Sequence, residues 1–496
     1  MVLHVLGVGA IGSLLAAHLS KHTNEAVKVI VRSGGLYNAL AKQNRELTIE
    51  RDGQQLHTDT IETELIPPVR EITEAQAGHP FISEYVIGTH RARDVQRQSL
   101  ASIDSLFVAT KAPAVLPAVQ QISPRLSTNS TIVLLQNGGG VVDHLINNLF
   151  PDESRRPNFI VGVNTHGAYV RNVRQRTNEG KSSSAMHTVW AGVGSIPFAV
   201  MPNLQVQHAL RSLDTTNANP LLNPHSADTP SLDYLPLSEP TQSLRKTISA
   251  MLACQPLNFE WLALPELLHV QQQKIAVNCV INPLTAIFDV QNGVLLEQNI
   301  EVMAYTICQE VSRVFGVKAR QDLLAKVESG APESEDDKYL IEHGLFPVDH
   351  PLSPESLHAR ALQVSRTTDS NVSSTLADIR NGNRSTEIDF LNGYISQLGQ
   401  ELGIPTPVND SLVQMVHFKT GLGKRAKRPP RGIPAYLPRM RISERFGATY
   451  KPQGIKPRHK NRKQAQVESE RTVELESGTS EPTTDDGTSS SQIHNP

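Results

Sequence analysis

At 496 residues with 39% apolar side chains, the chain can fill two or three ordinary cores; its cysteines, Cys254, Cys279 and Cys308, have neither metal-ligand spacing nor the density of a disulfide framework. A strand from residue 2 leaves no room for a signal peptide, and no apolar run reaches membrane-spanning length, so an intracellular protein is expected, cytoplasmic first and mitochondrial as the alternative. The net charge of −2 hides an asymmetry: residues 419–463 carry 15 Lys/Arg against Glu444 alone, residues 464–496 carry seven acids against one base, and about −10 is left for residues 1–418.

The first element, Val2 to Leu6, is an apolar strand that runs into Gly7, Val8, Gly9, Ala10, Ile11 and Gly12 and then an apolar helix. A GxGxxG pattern between strand and helix has a mechanism: Gly7 allows the tight turn, Gly9 lets backbone N–H groups approach a pyrophosphate, and Gly12 lets helix and strand pack closely. The second strand, Val27 to Val31, ends at Arg32. An acid there would take a ribose hydroxyl; a guanidinium suits a 2′-phosphate, so the position favours NADPH over NADH. A solvated loop charge is the alternative reading of Arg32.

Residues 52–100 are polar and proline-bearing and read as a surface insertion. Strands return at Ser105 to Ala109, ending in Thr110 and Lys111, and at Thr131 to Leu135, ending in Gln136, Asn137 and Gly138. Ligands of open α/β sheets collect at the carboxyl ends of strands, which makes Thr110, Lys111 and Asn137 candidate binding residues. Two further strands, from Phe159 and from Thr188, are placed as an antiparallel addition to the sheet, with His166 as either a site residue or a structural histidine. Residues 201–243, rich in Asn, Pro, Ser and Asp, read as a flexible insertion.

From residue 244 to 418 the pattern is helical, interrupted at about 326–358. At roughly 100° per residue, Lys274, Asn278 and Asn282 share one quadrant of an otherwise apolar helix. A buried ammonium and two carboxamides need partners, so the stripe faces a polar network or a wet cleft. Taken by itself, it is also compatible with packing and capping polarity. Pro283 is expected to kink or end this helix directly after Asn282. Farther on stand Ser373, Ser374 and Asp378, then Thr386, Glu387 and Asp389 ahead of another helix.

In this order, the glycine turn, Thr110-Lys111, Asn137-Gly138, Lys274/Asn278/Asn282 with Pro283-Leu284-Thr285, Ser374/Asp378 and Glu387/Asp389 resemble the ketopantoate reductase (2-dehydropantoate 2-reductase) family over most of residues 1–415. The fold class expected is α/β: an N-terminal Rossmann-type dinucleotide-binding domain (1–200), then an all-α C-terminal domain (244–418) and a low-order, disordered tail (419–496). The resemblance implies NADPH as cofactor and a small-molecule 2-oxo acid as substrate, with pantoate for pantothenate and coenzyme A synthesis as the product. It also implies Lys274 as catalytic general acid, Glu387 as the acid at the substrate hydroxyl, and Asn278, Asn282, Ser374 and Asn137 as substrate contacts. A homodimer is compatible with these readings. One extra residue between Asp378 and Glu387, absorbed by the loop at 381–384, departs from the family pattern, and the insertions point to a eukaryotic, fungal-like branch. The basic run at 419–463, interleaved with Tyr436, Phe446 and Tyr450, supports an alternative: a reductase-derived scaffold that binds RNA or a mitochondrial assembly. Folding back on acidic segments of the same chain explains that run equally well.

Overall fold

The structure, a computed structural model, describes residues 1–58, 61–66, 101–176, 182–212, 219–221, 228–328, 334–383 and 385–425. Twelve strands occur among them: β1 (Val2–Leu6), β2 (Ala26–Val31), β3 (Thr48–Arg51), β4 (Gln54–His57), β5 (Glu62–Leu65), β6 (Ser105–Val108), β7 (Thr131–Leu134), β8 (Asn158–Gly162), β9 (Gly167–Arg176), β10 (Ser182–Gly192), β11 (Ile196–Met201) and β12 (Phe259–Trp261). Eight form one sheet in the order β12-β11-β8-β7-β6-β1-β2-β5, parallel throughout except between β8 and β11. The chain direction across this sheet reverses between β1 and β6, so the glycine turn and Thr110 meet at a topological switch point.

Helices α1 (Ala10–His22), α2 (Gly34–Lys42), α3 (Ala112–Ile122), α4 (Val141–Leu149), α5 (Leu204–Arg211) and α6 (Gln242–Ala253) belong to this domain. Leu14, Leu15 and Leu19 of α1 and Leu244, Ile248 and Met251 of α6 share one apolar cluster with the sheet; Val119 and Ile122 of α3 and Leu145 of α4 share another. Then follow α7 (Leu264–Phe288), α8 (Gln298–Glu328), α9 (Glu335–His343), α10 (Pro354–Thr367), α11 (Ser374–Arg380), α12 (Asn392–Leu402) and α13 (Pro407–Arg425). The first turns of α7 bury Leu267 against Val163 and Ala199 at the sheet, whereas Ile275 to Leu284 lie in the core of the helical domain. No helix among the described residues is long and apolar enough to cross a membrane.

Several boundaries differ from those expected. Strands β9 and β10 leave the main sheet and form a second one, β4-β3-β10-β9; the strands that extend the main sheet are β8 and β11, whose apolar residues Phe159, Ile160, Phe198 and Ala199 are buried. The first domain does not stop near residue 200. Within the supposed flexible insertion, Asn203 Oδ1 caps α5 by accepting from Val206 N at 3.0 Å, and Val206 and Leu210 bury in the sheet's cluster. Helix α6 docks on the sheet through Thr247 Oγ1, which donates to Ser105 Oγ at 3.0 Å, and β12 pairs with β11. The helical domain therefore starts after Trp261 rather than at residue 244. The excursion at 326–358 contains α9, capped by Ser334 Oγ accepting from Asp337 N at 3.0 Å. Helix α13 runs to Arg425, so the start of the expected tail is helical; the rest of the basic and acidic tail, like residues 67–100, lies outside the described residues.

Pro283 neither ends nor breaks α7, which continues to Phe288. Proline lacks the N–H that would bond to the carbonyl of Cys279. That carbonyl accepts instead from Asn392 Nδ2 at 3.0 Å. Asn392 Nδ2 also donates to Asn409 Oδ1 at 2.9 Å, and Asn409 Nδ2 donates to Glu310 Oε2 at 2.7 Å. The Glu310 carboxylate accepts the backbone N–H groups of Val408 (2.9 Å) and Asn409 (3.0 Å), which caps α13. Asn392→Ala strands a buried carbonyl and a buried amide together, so we expect a loss of about 2–3 kcal/mol, read as a lower urea midpoint at unchanged m-value.

Candidate active site

Lys274 leaves α7 where the helix passes from the sheet-side cluster into the helical core. Its ammonium donates to Asn137 Oδ1 at 2.8 Å and to the carbonyl of Asn164. Asn164 follows β8, and its loop is pinned to the start of β11: Thr165 N and Oγ1 donate to Ser195 O at 3.0 and 2.8 Å. His166 proves structural. Its Nδ1 accepts from Gly194 N at 2.9 Å, so Nε2 carries the proton and donates to Leu257 O at 3.0 Å.

Asn137 follows β7 and bridges two charges. With Oδ1 committed to an ammonium that can only donate, Nδ2 donates to Glu387 Oε2 at 3.1 Å. The other oxygen of Glu387 accepts from Ala112 N at 3.2 Å, the first residue of α3. The N-cap of α3, Lys111, offers that helix no side-chain cap, so Glu387 supplies one from the other domain and gains the positive end of the helix dipole. Glu387 itself precedes a 3-10 turn at Ile388–Phe390. Although Lys274 keeps part of its surface accessible, protein surrounds its ammonium densely, and burial pushes its pKa down to about 8, with the Glu387 carboxylate opposing the shift.

One and two turns farther along α7 come Asn278, whose side chain makes no hydrogen bond among the described residues, and Asn282, whose Nδ2 reaches Ser374 Oγ at 3.5 Å. Thr285 Oγ1 donates to Ser373 Oγ at 2.7 Å while Ser373 Oγ accepts from Leu376 N at 3.1 Å, so the cap of α11 is tied to α7 and sets the position of Ser374. Lys274, Asn137 and Glu387 thus form one hydrogen-bonded group; Asn278 and Asn282 continue its side of α7, and Ser374 meets Asn282 from α11.

The nucleotide candidates gather at the switch point. Gly7, Gly9, Arg32, Thr110, Lys111, Asn383 and Ser385 line a cleft of about 570 Å³. Gly7 has φ +99°, and a Cβ there would lie 2.8 Å from Thr110 Cγ2; a Cβ on Gly12 would lie 2.0 Å from Gly7 O. Gly9, by contrast, faces open space and precedes α1 with no side-chain cap among the described residues, so the first N–H groups of that helix can receive an anion. Among the described residues, Thr110 Oγ1 is buried without a hydrogen-bond partner. Val8 is buried, and Ala10 and Ile11 form the first turn of α1. These features fit a dinucleotide. Lys111 is committed otherwise than the sequence suggests: its ammonium pairs with Asp378 of the helical domain, where Asn383 Nδ2 also donates to Asp378 Oδ1 at 2.7 Å. The sequence reading missed Asn164 and Ala112 as site partners and gave the motif residue Asp378 no role. Asn164 and Ala112 act through backbone atoms, which leave no mark in a sequence. Among the described residues no cluster of His, Cys, Asp and Glu could hold a metal ion.

Residues 3–196 match the family profile described as ketopantoate reductase PanE/ApbA, and residues 266–420 match its C-terminal counterpart, together more than two thirds of the chain. The chain belongs to the ketopantoate reductase family. Within the family it is 26% identical over 425 residues to a fission yeast (Schizosaccharomyces pombe) protein named probable 2-dehydropantoate 2-reductase, covering 85% of this chain and 97% of that one. It is 23% identical over 429 residues to the 2-dehydropantoate 2-reductase of Saccharomyces cerevisiae, covering 85% and 95%. The fold matches the crystal structure of the Methylococcus capsulatus 2-dehydropantoate 2-reductase with TM-score 0.52 at 14% identity, over 86% of this chain and 99% of that one. It also matches a D-mandelate dehydrogenase complexed with NADH, with TM-score 0.51 at 18% identity, over 85% and 99%. This family member is thus of the fungal-like kind that its insertions suggested.

A lysine whose pKa is 10.5 unfolded and about 8 folded binds more protons in the unfolded state between those values, so its contribution to stability rises with pH across that window and its full penalty lies below it. Lys274→Met removes the penalty. We expect its stability advantage over wild type to be greatest below pH 8 and to shrink toward pH 10.5, as compared by urea midpoints.

Proposed function

We propose that the chain reduces 2-dehydropantoate to (R)-pantoate with NADPH, using Lys274 as general acid. The observation that carries this reading is a buried ammonium, with its pKa lowered to about 8, held by Asn137 Oδ1 and the Asn164 carbonyl on the wall of a cleft that also holds a dinucleotide cradle. Membership of the ketopantoate reductase family and the names of its fungal relatives support the substrate. The NADH bound by the D-mandelate dehydrogenase supports a nicotinamide cofactor, and Arg32 at the cleft favours its 2′-phosphorylated form.

The Gly7–Gly12 turn and α1 would hold the pyrophosphate, Arg32 the 2′-phosphate, and Thr110 and Lys111 the edge of the cleft. When bound, the reduced nicotinamide is the two-electron reductant for the C2 ketone. Negative charge growing on the ketone oxygen is met by Lys274, whose Nζ–H both stabilises it and moves to it. Burial helps by bringing the acid's pKa close to neutrality, while Glu387 keeps it protonated at working pH. Asn137 fixes the direction of the ammonium. Asn278 offers an uncommitted amide for a substrate hydroxyl, and Asn282 with Ser374 offers donors for the carboxylate.

Purified protein is expected to oxidise NADPH only when 2-dehydropantoate is added. Lys274→Ala should lower kcat by about 10²–10⁴ with little change in KM for NADPH, and the wild-type rate should fall above about pH 8 as Lys274 loses its proton. Absence of substrate-dependent oxidation by folded wild-type protein would rule the reading out. Arg32→Ala should raise KM for NADPH by about tenfold to a hundredfold and leave that for NADH nearly unchanged, since only a charge-assisted bond to the phosphate is lost.

A further inference from the structure

Asn137 must keep its amide aligned with an ammonium on one side and a carboxylate on the other, yet it stands on the glycine-rich run Gly138-Gly139-Gly140, which has little conformational preference of its own. The peptide after it is held from two directions. Gln271 Nε2, one turn before Lys274 on α7, donates to Gly138 O at 3.2 Å, and Gly139 N donates to Phe390 O at 2.9 Å. Side chains are excluded here: Gly138 has φ +99° and a Cβ would fall 2.2 Å from Phe390 O, while a Cβ on Gly139 would fall 2.3 Å from the Tyr394 ring. The 138–139 peptide is thus clamped between α7, which carries Lys274, and the turn that follows Glu387.

We propose that Gln271 is a positioning residue, which pins the Gly138 carbonyl to α7 so that the Asn137 amide stays in register with both Lys274 and Glu387. The proposal deepens the reductase reading and, for its catalytic consequence, rests on it. Gln271 touches neither reacting group. It shares a helix face with Lys274, three residues away, so the helix grips the loop with side chains from adjacent turns. Phe390 O holds the N–H edge of this planar peptide and Gln271 its carbonyl edge; either contact alone leaves the plane able to pivot about the held edge, and the two together fix it. Among the described residues, Glu387 is the charged group that acts on the Lys274 ammonium, so misalignment of Asn137 removes a neutral acceptor from the ammonium without changing the charges around it.

The test is a double-mutant cycle with two readouts, on wild type, Gln271→Met, Asn137→Ala and the double variant. Gln271 is part-exposed and methionine is an equally good helix former, so Gln271→Met is not expected to unfold α7; Gln271→Asn, whose shorter side chain cannot reach, is the second variant. On the ligand-free protein, the pH midpoint for acylation of Lys274 by an amine-selective reagent, read by peptide mass spectrometry, should move downward in Gln271→Met and Gln271→Asn. It should move no further when Gln271→Met is added to Asn137→Ala. In turnover, Gln271→Met should lower kcat by about tenfold, with KM for NADPH within about twofold, and cost less than about twofold in the Asn137→Ala background. Equal effects in both backgrounds, or no midpoint shift in either Gln271 variant, would overturn the proposal. If wild type oxidises no NADPH with any 2-oxo acid, the reductase reading fails, and the acylation cycle still decides the clamp.

Discussion

The Lys274 ammonium sits on a helix that belongs to two cores, and the arrangement of the site follows from that sharing. The early turns of α7 are fixed by Leu267 against the sheet, the later ones by Ile275 to Leu284 in the helical domain. A side chain at the crossing point is positioned relative to both domains by apolar packing, before any hydrogen bond is counted. The loops after β7 and β8 then need only present one amide oxygen and one carbonyl to it. Packing of this density resists displacement of even a methylene, which is what a proton donor requires.

Two electrostatic effects compete at that point, and they are unequal. Burial disfavours the charged lysine, the Glu387 carboxylate favours it, and burial is the larger. Direct contact between ammonium and carboxylate would have given an ion pair with the opposite balance and a poor acid. Asn137 keeps the two apart while bonding to both, and the N-terminus of α3 takes up the remaining oxygen of the carboxylate. Glu387 is therefore buried with both oxygens hydrogen-bonded and without direct contact with the lysine it influences.

Much of this could be read from the sequence where the signal is a side chain at a fixed spacing. The GxGxxG turn and the Lys274/Asn278/Asn282 stripe stand out because side chain and spacing carry their chemistry, whereas Glu387 stands out only through the family resemblance. Partners that act through the backbone, Asn164 O and Ala112 N–H, have no such signature. The same limit explains the misplaced boundaries: β8 and β9 are separated by the short Val163 to His166 link, and nothing in the alternation of either strand says that they enter different sheets. The apolar face of α6 predicts a helix but not which core receives it. At Pro283 the local rule was sound, since the hydrogen bond is indeed missing; what replaces it comes from Asn392, too distant in the chain for any local pattern to reveal.

That distance has a consequence for the order in which the molecule can assemble. The donor that completes α7 lies 113 residues beyond the carbonyl it serves, so a chain still being synthesised at residue 390 holds this helix with one backbone acceptor unpaired. Burying that acceptor early would cost about 1–3 kcal/mol. The core around Cys279 and Pro283 therefore has reason to stay hydrated and loose until α12 and the start of α13 arrive together with Glu310 already in place. Closure of the helical domain is in this sense a late, concerted event, whereas the strands β1, β2, β6 and β7 have all their sheet partners far earlier in synthesis.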